Sequence, residues 1–373
     1  MHELRNNAEN VENSGMEKGE CLDKIIVLQP GNISKRLGEM LNFALGNYEY
    51  EIVRNSEEID CLRNKRILFA VELGDSGINI ELYKMLEKIS ISNNLLENSV
   101  GSILINSNNE FYTRDISRKI ILYSNMAGCT FPGRPISEAT GSLKTYNTYQ
   151  KIYNKDLLSI CKEDCRKTVD RMMNFSKQNI KNPSILALHA SNYKTSNTLS
   201  LWKKIKKNLD GYNIEEIHIE NGTVNDCKAC SYKECKHYSE SNNCFYGGIM
   251  VDEVYPSILK SDILIMLCPN YNDSISANMS AVINRLTALY RKTKFYDKYI
   301  YSIIVSGHSG SDIIAQQLIS ALNINKTFIL PPRFALMETA NDIGDIDNIN
   351  NIEITAKNFA ENMINNIIYK NHS

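Results

Sequence analysis

The sequence predicts an α/β protein with two parallel-sheet domains, and three observations lead there. Apolar runs of strand length alternate with amphipathic helical stretches, and this series runs twice along the chain. The two series share short matching stretches at corresponding places. With 373 residues, 43% of them apolar, the chain is long enough for two cores of ordinary size.

The first 23 residues are polar, rich in Asn and Glu, and are expected to be disordered. KIIVLQ (24–29) reads as a buried strand and ISKRLGEMLNFAL as a helix with Leu37, Met40, Leu41 and Leu45 on one face. YEIV, RILFAV (66–71) and SILIN (102–106) are further strands, separated by the helical stretches GINIELYKMLEKI and RDISRKIILYSNMAG. Residues 24–145 therefore form one domain. A helical linker, 146–182, carries Cys161 and Cys165 one turn apart. A two-ligand metal site is conceivable there, but with no His or Cys partner nearby in sequence these read as core or surface thiols.

The second domain, 183–373, opens with the strand Ile185 to Leu188 and the helix TLSLWKKIKKNL, whose Leu199, Trp202, Ile205 and Leu209 recur at helical spacing. Strands follow at EEIHIE, DILIML (262–267), YSIIVS (301–306) and TFIL. Helices are expected at VDEVYPSILKS, SANMSAVINRLTALYR, SDIIAQQLISAL and the closing IEITAKNFAENMINNIIYK. Laid over each other, Ser102-Ile103-Leu104-Ile105 sits on Ser302-Ile303-Ile304-Val305, and Asp115-Ile116 on Asp312-Ile313. Pro132-Gly133-Arg134 sits on Pro331-Pro332-Arg333, and Asp75-Ser76 on Asp273-Ser274. A divergent duplication accounts for this; the alternative is two unrelated parallel-sheet domains that share some matches by chance.

Lysine plus arginine (42) nearly balance aspartate plus glutamate (43), which argues against nucleic acid or a membrane surface as partner. No 18-residue apolar run and no signal-peptide core appear, so a soluble, cytoplasmic protein is expected. There is no Ser, His and Asp arrangement, no HExxH and no GxxxxGK[ST]. Catalytic side chains are therefore not expected.

The loop from Ala190 to Thr198 joins a strand to a helix and places Ser191, Lys194, Thr195, Ser196, Asn197 and Thr198 around one helix N-terminus. Unpaired N–H groups and the positive dipole end hold anions there, so a phosphate is the natural guest; the plainer alternative is a simple helix cap. Ligands of an open parallel sheet sit outside the C-terminal strand ends, which brings in two more loops. CPNYNDSIS supplies Pro269, Asn270, Tyr271 and Asn272, an aromatic ring between exposed amides. SGHSGSD supplies Ser306, Gly307, His308, Ser309 and Gly310, where glycines let the backbone approach a flat ligand. The first domain's equivalent loop, QPGNISKRL, has one serine and no TSNT run. It lacks the converging donors that offset a phosphate's desolvation.

ASNYKTSNT resembles without a gap the GSPRKNSNT loop of the NADPH-dependent FMN reductase and iron-sulfur flavoprotein group, with Ala190 and Asn192 in place of a glycine and the proline. CPNYNDSIS resembles that group's SPVYFGSVS segment, and SGHSGSD its glycine-rich ring loop. The resemblance spans about Ser184 to Arg333 and implies flavodoxin-like three-layer α/β/α domains, each a five-stranded parallel sheet of order 2-1-3-4-5. It implies FMN as cofactor, NAD(P)H as co-substrate, and a quinone, nitro compound, flavin or iron-sulfur acceptor. It also implies a homodimer, or an internal pseudo-dimer in which a flavin-free first domain replaces the second subunit.

Cys227, Cys230, Cys235 and Cys244 lie where the iron-sulfur flavoproteins carry a compact cysteine motif, and could hold a [4Fe–4S] cluster, zinc or nothing. Two other functions are compatible with the sequence: an FMN electron carrier reduced by a partner protein, and a non-catalytic binding protein.

Overall fold

In the computed structural model, the described residues are 24–368 apart from 60 and 93, so the expected disordered tail lies outside them. The first domain contains β1 (Lys24–Leu28), α1 (Lys35–Leu45), β2 (Glu49–Val53), β3 (Arg66–Leu73), α2 (Ile80–Ile91), β4 (Val100–Ser107), α3 (Thr113–Met126) and β5 (Ile136–Ala139). α4 (Asn147–Tyr153) and α5 (Leu157–Met173) link it to the second. That domain contains β6 (Ile185–His189), α6 (Asn197–Lys206), β7 (Ile214–His218), α7 (Tyr232–Ser239), α8 (Tyr255–Lys260), β8 (Ile263–Pro269) and α9 (Ala277–Lys292). It ends with β9 (Tyr299–Ser306), α10 (Ser311–Leu318), β10 (Ala335–Thr339) and α11 (Ile352–Asn365).

All pairings are parallel, in the orders β2-β1-β3-β4-β5 and β10-β9-β8-β6-β7. Both are the expected 2-1-3-4-5 order, so the fold is two flavodoxin-like units. The central strands are buried on both faces, which is why they read as unbroken apolar runs. TFIL does not form a strand. Only isolated bridges occur there, Ile329 to Tyr299 and Leu330 to Phe131, while the edge strand is ALMET (335–339). The edge strands β5 and β10 are short and partly polar, so periodicity alone does not pick them out. Cys161 and Cys165 are buried core thiols.

Helix ends follow local chemistry. Ser34, Asn79 and Ser196 cap α1, α2 and α6, each accepting from the N–H three residues on. Pro256 has no N–H to give at the start of α8, and the turn before it, Met250–Val254, is π-helical. α10 likewise runs into a π-helical stretch, Ile319–Ile324.

Three buried clusters define the layers. α1 and α5 cover the outer face of the first sheet, and α6 and α11 the outer face of the second. The largest cluster runs continuously through both domains, from Phe69 and Phe131 to Leu330 and Leu188. At its centre is a pseudo-two-fold. Phe131 and Leu330 exchange both backbone hydrogen bonds at 2.9 Å, Arg134 N donates to Asn323 O, and Arg333 N donates to Asn125 O. Asn125 Nδ2 donates to Cys129 O and Pro331 O, while Asn323 Nδ2 donates to Phe328 O and Phe131 O. Arg134 and Arg333 both adopt positive φ, 55° and 51°. Of these reciprocal pairs, Arg134 and Arg333 lie in the segments that the sequence overlay puts together, and Phe131 and Leu330 immediately precede them.

Candidate flavin site at the strand ends of the second domain

β6 delivers the chain to the hydroxyl-rich loop and α6 takes it away. Ser196 Oγ accepts from Leu199 N at 3.2 Å, fixing the helix start, while the first-turn N–H groups have no intrahelical acceptor. Ser191 and Thr198 are each 1% exposed, and Ser191 Oγ is buried without a hydrogen-bond partner among the described residues. An unpaired buried hydroxyl costs about 1–3 kcal/mol unless a ligand satisfies it. Lys194 and Thr195 are exposed on the loop, held by an Asn192 Oδ1 to Lys194 N turn bond. Asn197 departs from expectation. Its Nδ2 donates to Ala340 O and Asp342 O, and its Oδ1 accepts from Gly344 N. That side chain ties α6 to the loop after β10, which leaves only its backbone N–H for an anion.

Beyond β8, Pro269 leads into a two-residue hairpin. Tyr271 and Ser274 exchange backbone hydrogen bonds, and Asn272 and Asp273 between them both have positive φ, 52° and 56°. Asn and Asp tolerate this left-handed turn best after glycine, which explains PNYND. The turn presents Tyr271, 52% exposed. Asn270 Nδ2 donates to Asp273 Oδ1 and reaches Ser309 O, so the two ring loops touch, while Asn270 Oδ1 is left unpaired. In the loop after β9, Ser306 Oγ is 2.7 Å from Ser311 Oγ. Gly310 has φ 101°, and a Cβ there would lie 2.1 Å from Asp273 Oδ1. Gly307, His308 and Ser309 lie between these two residues, His308 and Ser309 exposed. Ser276, at the start of α9, also keeps a buried unpaired Oγ; it matches the family segment in sequence, where no role is given to it. These orphaned atoms suit a phosphate at α6 and a polar ring edge beside the two loops.

Sequence reading also missed a histidine pair under the phosphate loop. His189 and His218 end adjacent strands in register, stack at 4.7 Å between centroids, and are covered by Tyr193. His189 is fully buried with neither ring nitrogen bonded, and Glu216 Oε1 is 3.8 Å away. Burial, helped by His218, lowers its pKa from 6.5 to about 4. The unfolded chain takes up this proton first. Stability is therefore full above pH 6.5 and falls as pH drops toward 4, by about 3 kcal/mol for this group. Denaturant titrations across that range, compared with His189→Phe, should show a flatter pH slope in the variant.

The first domain's corresponding edge is filled by its own side chains. Glu72, at the end of β3, accepts from Ser34 N at 3.0 Å at the mouth of α1 and from Asn106 Nδ2 at 2.5 Å. Arg36 crosses the strand ends, donating to Asn106 Oδ1, Ser107 O and Thr140 O. A carboxylate thus occupies the helix N-terminus that a phosphate would otherwise take.

The four clustered cysteines are free thiols, and no group of three or more His, Cys, Asp or Glu among the described residues is placed to hold a metal. Of the three outcomes open for Cys227, Cys230, Cys235 and Cys244, neither a cluster nor zinc finds support here. The residues between Cys230 and Cys235 start a capped helix, with Ser231 and Glu234 forming a reciprocal capping box. α7 carries Cys235 against α9, where Arg291 Nε lies 3.0 Å from its Sγ, while Cys227 is exposed. No metal chemistry is assigned to these four thiols.

No helix among the described residues is long and apolar enough to cross a membrane. No curated protein matches the chain. Similar solved structures include an NAD(P)H:quinone oxidoreductase from Methanothermobacter marburgensis, 15% identical, covering 48% of this chain and 95% of that one with a TM-score of 0.37. An azoreductase from Bacillus anthracis str. Sterne is 13% identical, covering 49% of this chain and 99% of that one, TM-score 0.37. Residues 183–342, the span holding all three candidate loops, match the family of NADPH-dependent FMN reductases.

Proposed function

We propose that the protein is an FMN-dependent NAD(P)H oxidoreductase with one flavin per chain, held by the second domain. The observation that carries this reading is Ser191, a buried hydroxyl without a partner beside an open helix N-terminus, within the span that matches the reductase family. Ser191, Ser196 and Thr198, with the first-turn N–H groups of α6 and Lys194 at the rim, would hold the phosphate. Asn270, Tyr271 and the Ser306–Gly310 loop would flank the ring. When bound, FMN supplies the electron transfer between a nicotinamide and a quinone, nitro compound, free flavin or iron-sulfur acceptor. The chain's own contribution is position: the absence of a side chain at Gly310 lets Asp273 and Asn270 pack against that loop, and the Asn270 contact to Ser309 holds the two ring loops together.

The first domain, on this reading, carries no flavin, because Glu72 and Arg36 close its equivalent site, and it takes the place of a second subunit across the pseudo-two-fold. The protein reconstituted with FMN and repurified should keep one flavin per chain, bleach on adding NADH or NADPH, and contain no stoichiometric iron or sulfide. Flavin bands that do not bleach would overturn the reductase reading, and two flavins per chain would overturn the account of the first domain.

A further inference from the structure

The pseudo-two-fold pairs Arg134 with Arg333, and their surroundings differ. Arg333 Nη2 donates to Asn94 Oδ1 at 2.6 Å and to Glu97 Oε2 at 2.7 Å. Glu97 stands four residues before Gly101, whose N–H donates to Thr130 O. On the other side of the dyad the equivalent bond runs from Ile300 N to Ile329 O, and the residue four before Ile300 is Tyr296. Tyr296 thus stands where the counterpart has Glu97, and no hydrogen bond or ion pair of the Arg134 guanidinium is found among the described residues.

More cations gather at the same place. Arg171 Nη2 donates to Arg134 O at 2.9 Å and to Thr168 Oγ1, and its Nε is buried without a partner. Lys294 Nζ lies 3.7 Å from the Tyr290 ring centroid and Lys326 Nζ 5.6 Å from it. Burial and the neighbouring Arg134 and Arg291 hold the Lys294 ammonium below its ordinary pKa. Against the effect of burial, Asp164 acts on Arg134 from a distance and holds its pKa above the ordinary value, while the Asp164 carboxylate accepts from Ser137 Oγ and Tyr146 OH. Like charges packed together and partly dried, with a donor left unpaired, are costly in the free protein and favourable toward an anion.

We propose that Arg134, Arg171, Lys294 and Lys326, arranged around Tyr290 and Tyr296 at the junction of the two domains, form a binding site for a small polyanion bearing a pyrophosphate group. Arg134, Arg171 and Lys326 are only partly exposed, so a compact anion reaches them where the flat surface of an acidic protein would not. Two guanidinium forks and two ammonium groups suit adjacent phosphates, and the tyrosine rings offer a face for a base. The site precedes β5 and β9, whereas the flavin loops follow β6, β8 and β9, so it lies at the opposite sheet edge and does not depend on the flavin reading.

The test is isothermal titration of the full chain, preincubated with excess FMN so that the phosphate loop is filled, with pyrophosphate and ADP as probes and sodium chloride at matched ionic strength as control. Saturable binding of one pyrophosphate or ADP per chain is expected, weakened about tenfold or more in Lys294→Gln/Lys326→Gln. Tyr296→Glu gives Arg134 the acid present across the dyad; it should raise the melting temperature without ligand and remove the binding. ADP tighter than pyrophosphate would support a nucleoside diphosphate as ligand, and equal affinities inorganic pyrophosphate. No saturable binding in the wild type, or unchanged affinity in both variants, would overturn the proposal. Because the readout compares variants remote from the phosphate loop, it stands even where FMN fails to bind.

Discussion

Ser196→Asp will keep the fold and lose FMN. Ser196 is the N-cap of α6, and aspartate caps a helix as well as serine does, so Leu199 N keeps its acceptor and thermal stability should stay within about 0.5 kcal/mol. The introduced carboxylate would face the phosphate across a few ångströms. At an effective dielectric near 20, two like charges about 4 Å apart repel by about 4 kcal/mol, on the order of a thousandfold in affinity. Ser196→Asn keeps the cap without the charge and should bind within about tenfold of wild type. Flavin fluorescence quenching measures all three proteins. The protein already contains this experiment in its first domain, where Glu72 sits at Ser34 N, at the mouth of the equivalent helix. Undiminished FMN affinity in Ser196→Asp would remove the phosphate from the start of α6.

Asn125→Ala should be the most destabilising single change at the domain junction. Its side chain is fully engaged: Nδ2 serves Cys129 O and Pro331 O, and Oδ1 accepts from Phe334 N. Asn125 is fully buried, so the truncation strands two carbonyls and one N–H away from water. Each buried group left unpaired costs about 1–3 kcal/mol, for a total of about 3–5 kcal/mol after partial relaxation. Urea unfolding followed by the fluorescence of Trp202, which reports the second domain, and by far-ultraviolet circular dichroism, which reports both, should show one coincident midpoint that falls in the variant. The largest core cluster runs through both sheets, so they are expected to unfold as one unit. If the second domain's transition stayed in place, the junction would be a loose contact and the pseudo-dimer reading would fail.

The sequence by itself determined the two α/β domains, the strand-loop-helix frame of each candidate loop and the places where the halves correspond. Those features are local: a central strand buried on both faces needs an unbroken apolar run, and a helix N-terminus needs a capping hydroxyl, whatever surrounds them. The edge strands were less legible. ISEA and ALMET are short and partly polar, while TFIL has strand composition but is spent on the domain junction.

Only the tertiary structure decided what each candidate side chain can still do. Asn197 sits in the phosphate motif, yet its amide is taken up by the loop after β10, more than a hundred residues away in sequence. Four cysteines lie close in sequence, yet no group of three or more metal-ligating side chains is assembled among the described residues, and Cys235 Sγ instead lies 3.0 Å from Arg291 Nε of α9. His189 and His218 are unremarkable in the sequence and become a buried stacked pair when β6 and β7 align. Whether a donor, thiol or imidazole is free depends on partners brought from distant segments, and chain order does not record which partners arrive.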